Sequence, residues 1–144
     1  MHGIATDGLM TVGELSRRTG LSIKAIREYE ALGLIYSAGR SDGNYRLFDE
    51  SALWCANVIE TLRSLGLTIK EIDRLARAYL ARPGESIGPA LAAALAASEQ
   101  RIDDRIADLA AVRRRIRSYR AQNAAALAGR DGDLFDSDPR RPAA

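Results

Sequence analysis

Met10-Thr11-Val12-Gly13-Glu14-Leu15-Ser16-Arg17-Arg18-Thr19-Gly20-Leu21-Ser22-Ile23-Lys24-Ala25-Ile26-Arg27-Glu28-Tyr29-Glu30 is the stretch that decides the fold, followed by Gly33-Leu34-Ile35 and Gly43-Asn44-Tyr45-Arg46-Leu47-Phe48. Thr11 and Glu14 have capping-box spacing, so a helix opens at Val12, and Gly20 ends it in the left-handed conformation. Ser22 caps a second helix, with Ile23 and Ile26 expected to face inward and Lys24, Arg27 and Glu28 outward. Gly33 closes that helix. Leu34-Ile35-Tyr36 and Tyr45-Arg46-Leu47-Phe48 then predict two short strands around the polar turn Ser41-Asp42-Gly43-Asn44. Two short helices with a tight turn between them, followed by a hairpin, form a winged helix-turn-helix, which lays its second helix in a DNA major groove.

Outward from this core, Asp49 predicts a third helix over about 50–65, striped by Leu53, Ala56, Ile59, Leu62 and Arg63 and closed by Gly66. Thr68 and Glu71 repeat the capping box and open a fourth helix carrying Ile69, Ile72, Leu75 and Leu80. Arg82-Pro83-Gly84 breaks the chain. A long helix is expected from about 89 to 122, roughly 50 Å in length. Along it Leu91, Leu95, Ser98, Ile102, Arg105, Leu109, Val112, Ile116 and Tyr119 recur in steps of four and three. Seven of these nine are apolar, the seam of a two-stranded coiled coil, which a domain of about 75 residues is too small to cover alone. Ser98 and Arg105 interrupt the seam and are expected to fix register or orientation. The run Arg113-Arg114-Arg115-Ile116-Arg117 reads as a solvated flank.

Composition bounds the function. The chain of 144 residues makes one small domain with an appendage, and no apolar run reaches the length of a membrane span, so a cytoplasmic location is expected. One cysteine, Cys55, and one histidine, His2, leave no disulfide, no multi-thiolate metal site and no His-based catalytic constellation. No phosphate-binding glycine loop is present, so no enzyme, cofactor or metal is expected. Net charge is only +2, and residues 1–48 hold six cations against five anions. The case for nucleic acid therefore rests on placement: Arg17, Arg18, Lys24, Arg27, Arg40 and Arg46 fall on elements that would share one surface.

The ordered set Met10 to Leu15, Arg18 to Ser22, Ile26-Arg27 with Tyr29-Glu30, Gly33 to Ile35, Asn44 to Arg46, and Leu62 to Thr68 resembles the MerR family of transcriptional regulators over about residues 10–82. The resemblance implies a mainly α fold: a winged helix-turn-helix DNA-binding domain (10–82) followed by a long antiparallel coiled-coil dimerisation helix (86–122). Residues 1–9 and 123–144 are expected to be a flexible N-terminal extension and a flexible tail. Carried over position by position, Lys24 and Arg27 would contact DNA from the second helix and Tyr29 would orient or contact the backbone, with Arg40, Asn44, Tyr45 and Arg46 contacting from the wing, and Arg17 and Arg18 from the end of the first helix. Leu91, Leu95, Ile102, Leu109, Val112, Ile116 and Tyr119 would form the dimer seam. The implied partners are double-stranded promoter DNA in the bacterial nucleoid, a second copy, and RNA polymerase at the promoter. The implied function is binding of a palindromic operator and distortion of its DNA in response to an effector.

Two departures stand out. Glu28 occupies a position where the family usually has tyrosine, and is expected either to pair with a neighbouring arginine or to accept from a cytosine amino group. Tyr36 replaces the usual proline. Metal-sensing relatives use several cysteines, and multidrug-binding relatives carry a C-terminal effector domain for which 22 residues after Gln122 leave no room. The electrophile-sensing branch has its thiol nearer Thr61, so Cys55 reads as a buried structural cysteine. A small apolar effector is instead expected in a pocket between the long helix and the partner's DNA-binding unit, involving Trp54 and Tyr79 alongside Cys55. An excisionase-like architectural factor, a simple repressor without ligand sensing, and a protein-interaction module are the competing functions. The long seam argues against the first of these.

Overall fold

Every helix of the winged unit begins where a side chain takes up an unpaired backbone N–H. A computed structural model describes residues 8–142 and leaves residues 1–7, with His2, and 143–144 outside the described chain. Thr11 Oγ1 accepts the Glu14 N–H at 3.2 Å to open α1 (Val12–Thr19), and Ser22 Oγ accepts the Ala25 N–H at 3.0 Å to open α2 (Ile23–Ala31). Asp49 Oδ1 accepts the Ala52 N–H at 2.9 Å ahead of α3 (Glu50–Ser64), and Thr68 Oγ1 the Glu71 N–H at 3.2 Å ahead of α4 (Ile69–Ala81). The α1–α2 turn passes through Gly20 at φ 79°, a left-handed conformation that costs other residues energy. Its polar atoms are satisfied locally: Ser16 Oγ donates to the Leu21 carbonyl at 2.6 Å and Thr19 Oγ1 to the Leu15 carbonyl at 2.7 Å.

The wing differs from the two strands expected. Leu34 to Tyr36 form no strand, because the Leu34 and Ile35 N–H groups both turn back to the Tyr29 carbonyl and drop Ile35 into the core. The sheet has three short antiparallel strands instead, with β3 (Arg46–Phe48) between β1 (Met10–Thr11) and β2 (Gly39–Arg40). Met10 pairs with Phe48 and Arg40 with Arg46, so the segment preceding α1 is tied to the wing. Ile23, expected inside, is 40% exposed at the first turn of α2.

One apolar core holds these elements together. Leu15, Ile26, Ile35, Phe48 and Leu67 are fully buried, joined by Ala52, Ala56, Ile59, Ile72 and Leu75 from α3 and α4. α5 (Gly88–Gln122) brings Leu91 and Leu95 against this core. These two residues thus pack on their own chain instead of continuing the expected dimer seam. Ser98 is 2% exposed, and its Oγ donates to the Leu65 carbonyl at 2.7 Å across the α3–α4 turn. Gly66 lies at φ 86° beside it, and a Cβ there would stand 2.5 Å from Ser98 Oγ.

The chain divides into two compact units, Met1–Glu99 and Gln100–Ala144, with α5 running through both. In the second unit Ile102, Ile106, Leu109, Val112, Ile116 and Tyr119 are all exposed. The segment expected as a flexible tail holds the short helix α6 (Ala124–Leu127) and a turn in which Arg141 pairs with Asp133 and Asp136.

Candidate nucleic-acid interface

α2 leaves Lys24, Arg27 and Glu28 exposed on one side while Ile26 and Tyr29 enter the core. Tyr29 is only 7% exposed, so its aromatic body supports α2 from beneath, which fits the orienting alternative better than a direct backbone contact. Its place in the i, i+3 series with Ile26 accounts for this. Glu28 has no ion-pair partner among the described residues. The pairing expected for it is made by Glu30, whose carboxylate binds Arg46 across to β3.

The wing tip is shaped by Asn44 at φ 65°, a conformation that asparagine tolerates better than most residues. Arg40 Nη1 donates to the Asn44 carbonyl at 3.2 Å and to its Oδ1 at 3.4 Å, while the Tyr45 N–H donates to Ser41 Oγ at 3.1 Å. The Tyr45 ring stands exposed beside Gly43, where a Cβ would meet it at 3.1 Å. Arg27, Asn44, Tyr45 and Arg46 then line one groove of about 400 Å³ together with Thr11 and Glu30. Arg17, Arg18, Lys24 and Arg40 are exposed outside that lining, Arg18 lying 3.8 Å from Glu50.

Sequence analysis missed Glu30 and Thr11 at this groove. Glu30 follows Arg27 by three residues on the same helical face, a spacing that was available to find it. In sequence Thr11 shows only the signature of a helix cap; its second position, on an edge strand beside the wing, depends on the β1–β3 pairing.

A second concavity of about 360 Å³ lies within the first unit, between α3, α4 and the start of α5. Trp54, Cys55 and Tyr79 line it with Val58, Leu62 and Leu91. These residues of α3, α4 and α5 thus share one cleft within the chain. α4 and α5 place Tyr79 and Leu91 on the same cleft as Trp54 of α3. Burial, and secondarily the negative charge of Asp49, push the half-buried Cys55 thiol above its ordinary pKa. The thiol is correspondingly a poor nucleophile at neutral pH.

Helix-turn-helix, three-stranded wing and a groove lined by arginines define a winged helix-turn-helix DNA-binding protein. Residues 10–79 match the MerR HTH family regulatory protein description and residues 57–119 match the MerR, DNA binding description. The chain belongs to the MerR family, whose members are transcription regulators and not enzymes. It is 30% identical over 133 residues to the nodulation protein NolA of Bradyrhizobium sp. (strain NC92), covering 92% of this chain and 48% of that protein. The chain thus spans about half the length of this curated relative.

Among solved structures it is similar to the transcription regulator PbrR691 from Ralstonia metallidurans CH34, in complex with lead(II), at 29% identity and a TM-score of 0.63. That similarity covers 78% of this chain and 86% of the other. HiNmlR, a MerR family regulator lacking the sensor domain and bound to promoter DNA, shares the fold at 22% identity and a TM-score of 0.55, covering 93% of this chain and 99% of that one. Among the described residues no helix is long and apolar enough to cross a membrane.

Proposed function

We propose that this chain acts as a homodimer that binds an inverted-repeat operator in promoter DNA, each copy placing α2 in a major groove and its wing beside it. The observation that carries this reading is the single groove shared by Arg27 of the recognition helix and Asn44, Tyr45 and Arg46 of the wing. Lys24, Arg17, Arg18 and Arg40 supply further phosphate contacts around it. Two such units at fixed separation impose a spacing on the DNA, and bending or untwisting the central base pairs then presents the promoter to RNA polymerase. The effector is a small apolar molecule held in the cleft of Trp54, Cys55 and Tyr79, which touches both the winged unit and the first turns of α5. Among the described residues no group of three His, Cys, Asp or Glu side chains could hold a metal ion.

In vitro selection of the purified full chain on random and genomic fragments tests this function. The expected result is an inverted repeat with half-sites about one helical turn apart or a multiple of it. Recovery of no enriched sequence, with and without candidate apolar ligands, would overturn it.

A further inference from the structure

Glu28 stands on the face of α2 turned away from the core. Ile26 and Tyr29 are buried, and at about 100° of turn per residue the opposite side of the helix falls between Lys24 and Glu28. Both of these are exposed. Arg27, the adjacent residue, lines the groove shared with Asn44, Tyr45 and Arg46, and Glu28 takes no part in that groove.

Nothing within the chain engages this carboxylate. Arg46 is bound to Glu30, and among the described residues Glu28 forms neither an ion pair nor a side-chain hydrogen bond. Lys24 precedes it by four residues, the weaker order for a helical ion pair, and the two do not pair.

An unpaired carboxylate on a recognition helix is costly beside DNA, because phosphates and the acceptors of base edges both repel it. It accepts hydrogen bonds and donates none. In the major groove only the N4 amino group of cytosine and the N6 amino group of adenine donate. Adenine sets its N7 acceptor beside that amino group, so a carboxylate meeting adenine gains a bond and a repulsion together. Cytosine offers its amino group with no acceptor beside it on the same base.

We infer that Glu28 selects a cytosine in each half-site of the operator. The inference rests on the placement of α2 in a major groove given by the proposed function. Glu28 accepts from the cytosine N4 amino group, while Lys24, one turn earlier, holds a phosphate and offsets the charge of the carboxylate. The cytosine recurs at the symmetry-related position of the other half-site. A base pair that puts no amino group at that place leaves the carboxylate without a donor. Glu28 therefore weakens binding to unrelated DNA while it supports binding to the operator, which is specificity through exclusion.

Selection on random DNA with the full-length wild-type, Glu28→Ala and Glu28→Gln proteins tests this, followed by titration of the selected operator and its point variants. The wild type should recover an inverted repeat with an invariant cytosine at one symmetry-related pair of positions. Glu28→Ala should recover the same repeat with that position open to any base. Glu28→Gln should move the preference to adenine, whose N6 and N7 fit a carboxamide. Replacing the cytosine by thymine in one half-site should cost the wild type about ten-fold in affinity and Glu28→Ala less than about two-fold. Glu28→Ala should also bind unrelated DNA more tightly, the opposite direction from its loss on the operator. A repeat identical at every position for all the proteins would overturn the role of Glu28 and leave the proposed function standing. So would a Glu28→Ala protein that gains equally on operator and unrelated DNA. A wild-type preference for another base at the position that Glu28→Ala relaxes would overturn the assignment of cytosine. No enriched sequence for the wild type would overturn both the inference and the function beneath it.

Discussion

Arg46 shows how one side chain joins two elements before it meets any ligand. It leaves the central strand of the wing, binds Glu30 of α2, and borders the groove with Arg27. Arg46→Ala should therefore weaken DNA binding across sequences and lower the salt slope by about one. A titration series in potassium chloride reads both, and an unchanged slope would remove Arg46 from the phosphate contacts. Tyr29 behaves differently because it is buried: Tyr29→Ala should cost about 3–5 kcal/mol of stability, as for other large aromatic truncations. Tyr29→Phe should leave operator affinity almost unchanged, which a DNA contact through its hydroxyl would not allow. At Cys55 burial favours the neutral thiol, so the folded pKa stands above that of the unfolded chain. The stability held by that neutral thiol is full below the ordinary thiol pKa and is lost as pH rises through the raised one. Alkylation by iodoacetamide should accordingly accelerate at a higher pH in the native protein than in urea.

At the scale of elements, the contact between α5 and the α3–α4 turn works like a peg in a socket. Ser98 Oγ fills the space that a side chain at position 66 would need, and it satisfies the Leu65 carbonyl. Ser98→Ala should cost about 1 kcal/mol, the value of one hydrogen bond to a half-buried carbonyl. Gly66→Ala should cost about 2 kcal/mol, from the left-handed backbone and the collision with Ser98 together. The two together should cost less than their sum, because alanine at 98 clears the space that alanine at 66 requires. Urea denaturation of the four proteins closes the cycle, and strict additivity would show that the two residues do not share this contact.

Across the whole molecule, α5 changes its work along its length. Its first turns close the core of the winged unit through Leu91, Leu95 and Ser98, and its later turns leave Leu109, Val112, Ile116 and Tyr119 exposed. Leu109→Asp should yield a monomer in sedimentation with helical content retained, and should lower operator affinity at least ten-fold by removing the second half-site's contribution. A Leu109→Asp protein that stays dimeric would take Leu109 out of the interface.

Local chemistry determined the helices of this protein from sequence. Thr11, Ser22, Asp49 and Thr68 each sit where a helix must open, Gly20 where one must close, and each acts within four residues of itself. The same short range revealed the cations of α2 and the wing and the family to which they belong. What lay beyond it was every partnership across long stretches of chain. The third strand at Met10, the ion pair of Arg46 with Glu30 instead of Glu28, and the cleft shared by α3, α4 and α5 are of this kind. So is the division of the α5 stripe. Periodicity shows that a face is apolar, but only the packed structure shows whether its own core or another molecule covers it.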